Sequence, residues 1–178
     1  MSTAVEMPLR HIGALVVDDN HHMRTIVGTL LRSLGCKDIR ECSDGAAAFE
    51  LLRARPADII VLDLRMDTLD GLDFVRLLRR AADSPCPMVA VIMMTGHSER
   101  RHVTAARDAG VTEFVAKPLS AHALCARIEA VLTKPRAFIR SPNFVGPDRR
   151  RRREPNYAGP FRRAEDESLD LDTEETAA

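Results

Sequence analysis

The chain has no tryptophan, a single tyrosine, and only three lysines (Lys37, Lys117 and Lys134) among its 26 basic residues. A lysine in a particular place is therefore a poor candidate for surface filler. Net charge is also absent, with 26 basic residues against 26 acidic ones, which argues against a dedicated nucleic-acid binder. No apolar run approaches the roughly 18–20 residues of a membrane span. The start, MSTAVEMPLRHIG, has no basic stretch leading into an apolar one. Neither membrane insertion nor a secretory signal is expected. The four cysteines, Cys36, Cys42, Cys86 and Cys125, form no CxxC pair and follow no zinc spacing. Reduced, mostly buried thiols in a cytoplasmic protein are expected. GxGxxG and nucleophile-elbow sequences are missing too, which removes dinucleotide binding and elbow-type hydrolases.

What is present is one domain and something more. The length of 178 residues exceeds a typical domain of roughly 150. The 45% hydrophobic content suffices for a core. Charge is unevenly spread. Residues 1–134 carry 17 basic and 17 acidic side chains, residues 135–163 carry 9 and 2, and residues 164–178 carry none and 7. The chain thus divides into a neutral body, a segment of +7 and a segment of −7.

The body alternates two patterns. Apolar runs at 12–17, 39–42, 59–62, 89–94 and 114–116 are bounded by polar or turn residues, as strands are. The runs at 59–62 and 89–94 are continuously apolar, which suits central parallel strands covered on both faces. Between them lie helical patterns at 23–34, 45–53, 71–80, 99–109 and 121–132. Asp44, Asp70, Ser98 and Ser120 stand as N-caps. Gly35 and Gly110 stand as stops. Five strand–helix units predict a doubly wound α/β domain, whose ligands sit beyond the carboxyl ends of the strands.

The residues at those ends form a pattern. Strand 1 ends in Asp18-Asp19, strand 3 in Asp63, strand 4 in Thr95-Gly96 and strand 5 in Lys117-Pro118. Taken singly, each is an ordinary cap or loop residue. Together they place three carboxylates, a hydroxyl and an ammonium at one end of four strands. Crowded carboxylates repel one another unless a cation is present. All-oxygen ligands suit Mg²⁺. The set fits an aspartate nucleophile that takes a phosphoryl group, with Lys117 and Thr95 able to bond its oxygens. His21-His22, and His97 with His102, read as a solvated helix start and a helix face rather than as ligands, since no zinc spacing accompanies them.

With these residues in view, 9–134 resembles a response-regulator receiver domain of the chemotaxis-type, single-domain kind. The resemblance rests on VVDDNHHMRTIVGTLLRSLG, the DG of CSDG, DIIVLDLRM, Asp70-Gly71, MTG and KP, in that order. It implies a five-stranded (βα)5 flavodoxin-like receiver fold. It implies Asp63 as phosphoacceptor, and Asp18, Asp19, Asp63 and the backbone carbonyl of Arg65 as Mg²⁺ ligands. Thr95 is then the switch hydroxyl, Lys117 the phosphoryl-binding lysine and Phe114 the switch aromatic. Phe114 stands where many members have tyrosine, so its ring offers no hydrogen bond. A cis peptide is implied at Lys117–Pro118. Two departures stand out. Met66 is followed by Asp67 rather than proline, which leaves that loop less constrained and adds charge, and Arg65 stands where, in the family, the side chain faces the phosphoryl group. A haloacid-dehalogenase-type phosphatase is excluded, because the position of its second aspartate is Arg65.

The implied protein is a regulator rather than an enzyme. It would take its phosphoryl group from a histidine kinase or phosphotransfer protein. It would act on a downstream protein through the face made by helix 4, strand 5 and helix 5. The rival expectation is a phosphorylation-independent adaptor that binds through its tail.

That tail reads as irregular or disordered. Residues 135–163 hold five of the ten prolines and four of the seven aromatics. They also hold N-[FY]-x-G-P-x-R-R twice, at 143–150 and 156–163, which looks like two copies of a docking or packing motif. Residues 164–178 read as an acidic disordered end. A solvated extension and a partner-binding arm are both open for the tail. Binding of nucleic acid or an anionic membrane through 149–153 is the weakest, because the acidic end competes for the same arginines.

Overall fold

The computed structural model describes residues 9–67, 69–96, 100–141, 144–148 and 167–169, with 100–102 and 167–169 described through their backbone alone. The five apolar runs are strands: β1 (Gly13–Val17), β2 (Asp38–Cys42), β3 (Ile59–Asp63), β4 (Ala90–Thr95) and β5 (Glu113–Ala116). They pair in parallel in the order β2-β1-β3-β4-β5. Helices α1 (His21–Ser33), α2 (Gly45–Ala54), α3 (Gly71–Arg80), α4 (Arg100–Ala109) and α5 (Ala121–Thr133) alternate with them. This is the doubly wound five-stranded fold that the alternation predicts.

The strands alternate between two cores, as a period of two requires. Leu15, Val17, Ile60, Leu62, Val91 and Met93 face α2, α3 and α4, against Leu52, Phe74, Leu78 and Ala106. Ala14, Val16, Ile59, Val61, Ile92 and Met94 face α1 and α5, against Val27, Leu31, Leu124 and Ile128. Both faces of the sheet are covered. β1 can therefore be apolar throughout, and β3 apolar until its last residue, Asp63.

Local chemistry sets the helix ends. The side chain of Asp44 accepts from Ala47 N at 2.9 Å, that of Asp70 from Leu72 N at 2.8 Å, and that of Ser120 from Ala123 N at 3.1 Å. The proposed cap Ser98 lies outside the described residues, as does His97. The side chain of His102 lies outside them too. α1 starts two residues before its apolar pattern, because the Asn20 side chain accepts from Met23 N at 3.2 Å. Gly35 and Gly110 take φ of 92° and 101°, the left-handed turn that ends a helix.

The extension begins as folded structure. β6 (Phe138–Ser141) and β7 (Phe144–Pro147) pair antiparallel, and β8 (Glu167–Leu169) pairs antiparallel with the other edge of β6. The β6–β7 pair packs on the body. Phe138, Ile139 and Phe144 are buried, and β7 meets α3 and α4. The packing reading of the repeated motif thus has a physical basis in its first copy. A Cβ on Gly146 would lie 2.9 Å from Gly110 Cα, so the motif's glycine is what lets two backbones touch. The second copy, and residues 149–153, lie outside the described residues.

Arg79 is the hinge of this contact. Its side chain is 2% exposed. Nε and Nη2 each donate to Gly110 O at 3.1 Å, and Nη1 donates to Pro87 O at 2.6 Å. The Phe138 ring covers the guanidinium at 5.0 Å. Burial pushes its pKa down to about 9, which still leaves the cation charged at neutral pH.

Candidate functional site

The polar residues at the strand ends meet at one place, beside the β1–β3 junction where the strand order reverses. One carboxylate oxygen from each of Asp18, Asp19 and Asp63 lies within 4.8 Å of the others. Asp18 is fully buried and Asp63 is 7% exposed, while Asp19 stands at the more open side. Lys117 reaches in from the end of β5. Its Nζ is 3.0 Å from Asp63 Oδ1 and 3.3 Å from Asp18 Oδ2. Thr95 ends β4, is 5% exposed, and its carbonyl accepts from Lys117 N at 2.8 Å. The β4 hydroxyl and the β5 lysine are thereby held in register.

Burial pushes the Asp63 carboxyl above the usual carboxylate range. The hydrogen bond and charge of Lys117 pull it back down, and the charge of Asp18 pushes it up again. Two carboxylates share one ammonium at its rim, so the cluster retains excess negative charge. A divalent cation relieves that excess. Hard oxygen donors in an open arrangement suit Mg²⁺ better than softer metals.

The loops around the cluster are pinned through the backbone. Asn20 N donates to Asp18 Oδ1 at 2.8 Å. Asp67 N donates to Asp19 Oδ2 at 3.1 Å. The loop after β3 is thus tied down despite lacking a proline, and Met66 is buried beneath it. Arg65 and Asp67 are exposed. Gly71 explains the Asp-Gly pair. A Cβ there would lie 2.3 Å from Asp63 O and 3.1 Å from Leu64 Cα, so only glycine lets α3 start against the end of β3. The peptide Lys117–Pro118 is cis. Phe114 is half-buried and packs on the α2–α4 side of the sheet.

One residue of the site escapes a reading of the sequence. Arg24 Nη1 donates to Asp18 O at 2.7 Å and to Asp19 O at 3.1 Å, clasping the turn that carries both carboxylates. Its signal is a misfit. A cation in the first turn of a helix sits at the unfavourable end of the dipole unless other acceptors hold it.

The thiols take no part. Cys36 and Cys42 are buried, and burial pushes Cys42 up to about 11 and also raises Cys36. Cys86 and Cys125 are half-buried and, like the others, free.

A doubly wound α/β protein with a carboxylate trio and a lysine beyond its strands is the class that these observations define. Comparison with known proteins narrows it to one family. The chain belongs to the response regulator receiver domain family, which it matches over residues 14–129, and it is of the chemotaxis CheY-like kind found in two-component signalling. It is 35% identical to the chemotaxis protein CheY of Pseudomonas aeruginosa over 120 residues, covering 67% of this chain and 95% of that protein. In fold it is similar to the CheY4 chemotaxis protein of Vibrio cholerae, with a TM-score of 0.63 at 24% identity over 68% of this chain and 98% of that one. It is also similar to the receiver domain of a sensor histidine kinase from Pseudomonas aeruginosa, crystallised with a magnesium ion coordinated in its active-site cleft. That match has a TM-score of 0.59 at 27% identity, over 66% of this chain and 94% of that one. No helix among the described residues is long and apolar enough to cross a membrane.

Proposed function

We propose that this receiver accepts a phosphoryl group on Asp63 from a histidine kinase or phosphotransfer protein, and signals in the cytoplasm by changing its affinity for a partner protein. The observation that carries the proposal is the setting of Asp63: a buried carboxylate with Lys117 Nζ at 3.0 Å and two further carboxylates beside it. A carboxylate oxygen of Asp63 attacks phosphorus, the phosphorus–nitrogen bond of the donor phosphohistidine breaks, and the nitrogen keeps the electron pair. Asp18, Asp19, Asp63 and the carbonyl of Arg65 would hold Mg²⁺, for which oxygen donors and the acidic excess are suited. Bound there, the ion would neutralise charge on the phosphoryl oxygens.

The chain's own residues do the rest. Lys117 exchanges its carboxylate bond for one to a phosphoryl oxygen. Thr95 donates its hydroxyl to another such oxygen. The β4–β5 register couples that movement to Phe114, two residues before Ala116. The face made by α4, β5 and α5 then shifts between two populations, and a partner that prefers one of them reads the signal. The role is that of a phosphoacceptor, not of an enzyme acting on a separate substrate.

Incubation with acetyl phosphate and Mg²⁺ should produce a retarded band on a Phos-tag gel. That band should be absent for Asp63→Asn and absent in excess EDTA. A retarded band that persists in Asp63→Asn would remove Asp63 from the role.

A further inference from the structure

The β6–β7 pair is fixed to the body on one side and open to exchange on the other. Phe138 and Phe144 are buried, and Gly146 touches Gly110. β7 lies against α3 and α4, which leaves the opposite edge of β6 for another strand. That edge is taken by Glu167–Leu169 of the same chain. The register sets Leu169 opposite Phe138 and Glu167 opposite Arg140. By register, an apolar residue stands opposite an apolar one and an acidic residue opposite a basic one at the two ends of the ladder. Arg140 is exposed, so its charge is available along the edge.

The charge pattern along the sequence agrees with this choice of strand. Residues 135–163 carry 9 basic and 2 acidic side chains, and residues 164–178 carry 7 acidic and no basic ones. Arg140, exposed at this edge, favours an acidic extended segment over a basic one. The paired strand is only three residues long. Each of its backbone bonds contributes about 1 kcal/mol net, so the strand opens readily. An open edge is a template for another extended segment.

We propose that the outer edge of β6 is a strand-docking site selective for extended acidic protein segments, and that the chain's own Glu167–Leu169 covers it in cis. The cover is competitive. Tethering gives the internal strand an effective concentration on the order of millimolar, which a weakly matched external segment does not overcome. The site therefore answers only to a partner of better match, or to loss of the internal strand.

A fluorescein-labelled peptide with the sequence of residues 164–172 tests this by anisotropy. It is titrated into the full-length chain and into the full-length chain carrying Ser168→Pro with Leu169→Pro. Thermal unfolding of both establishes that the receiver stays folded. The peptide should bind the proline variant at least tenfold more tightly than the unsubstituted chain. Adding Arg140→Glu should weaken that binding at least fivefold. Equal affinity for the two chains would overturn the cis cover. Equal binding of the same peptide with its acidic residues replaced by lysine, or no binding to the proline variant up to the millimolar range, would overturn the docking site. A concentration-dependent dimer that the proline substitutions abolish would assign the strand to a second copy and overturn the proposal as stated.

Discussion

Asp63 carries opposing demands in one side chain. In the proposed role its carboxylate would have to be ionised to attack phosphorus, whereas burial and the Asp18 charge favour the protonated form. Because the folded chain holds that proton more tightly than the unfolded chain, the stabilising contribution is present in acid. It is lost as pH climbs through the raised value. At neutral pH the ionised group is a net cost to folding. Asp63→Asn should therefore raise the unfolding temperature at neutral pH without Mg²⁺. A gain of about 1 kcal/mol corresponds to about 2–4 °C for a chain of this size. The gain should shrink as pH falls below the raised value, where Asp63 is itself neutral. Scanning calorimetry at several pH values measures it, and a lower unfolding temperature for Asp63→Asn at neutral pH would contradict the account. Lys117 shows the same economy of means. In a chain with three lysines, this one bridges two buried carboxylates.

Elements meet the site through backbone proximity rather than side-chain bulk. α3 starts so close to the end of β3 that Gly71 has no room for a methyl group against Asp63 O. Gly71→Ala should destabilise the chain by about 1–3 kcal/mol, the range for overpacking, with a matching fall in the urea midpoint. A midpoint equal to that of the unsubstituted chain would mean that α3 can withdraw without cost. The β6–β7 pair offers the converse case, in which bulk is the contribution. Phe138 is 4% exposed over the guanidinium of Arg79. Phe138→Ala should cost about 3 kcal/mol by urea unfolding, because it removes both the packed ring and the cover over a buried cation. A cost below about 1 kcal/mol would show that β6 only rests on the body.

At the scale of the molecule, two regions of work lie at opposite ends of the sheet. Asp63, Thr95 and Lys117 stand at the carboxyl ends of the strands. Arg79 and Gly110, which receive the extension, stand at the end of α3 and before β5, at the amino ends. Chemistry at one end should therefore survive loss of the other. Truncation after Lys134 should leave the acetyl-phosphate reaction intact on a Phos-tag gel while lowering the urea midpoint, since Arg79 loses Phe138. Loss of the reaction in a truncated chain that remains folded would mean that the extension reaches the site. The zero net charge also takes its meaning at this scale. It sums a balanced receiver that has an acidic cleft with an extension of +7 followed by −7.

The sequence by itself determined the receiver fold and pointed to the residues that the structure gathers at the candidate site. Periods of two and 3.6 are local, so five strands and five helices could be read directly, as could the caps Asp44, Asp70 and Ser120. Asp18, Asp19, Asp63, Thr95 and Lys117 could be read because each closes an apolar run, and the fold class says that such ends converge. Only the tertiary structure decided what depends on distant neighbours. Lys117 bridges Asp18 and Asp63 across 99 residues on one side. Gly71 is required by a carbonyl eight positions earlier, and Gly146 by the backbone of Gly110. Arg24 looks like a surface residue until the carbonyls of Asp18 and Asp19 are seen beneath it. The extension shows the limit most plainly. Its prolines and arginines read as irregular, yet Phe138 and Phe144 find a buried seat on α3 and α4 that no local pattern encodes. Burial is a property of two surfaces, and the sequence of the tail displays only one of them.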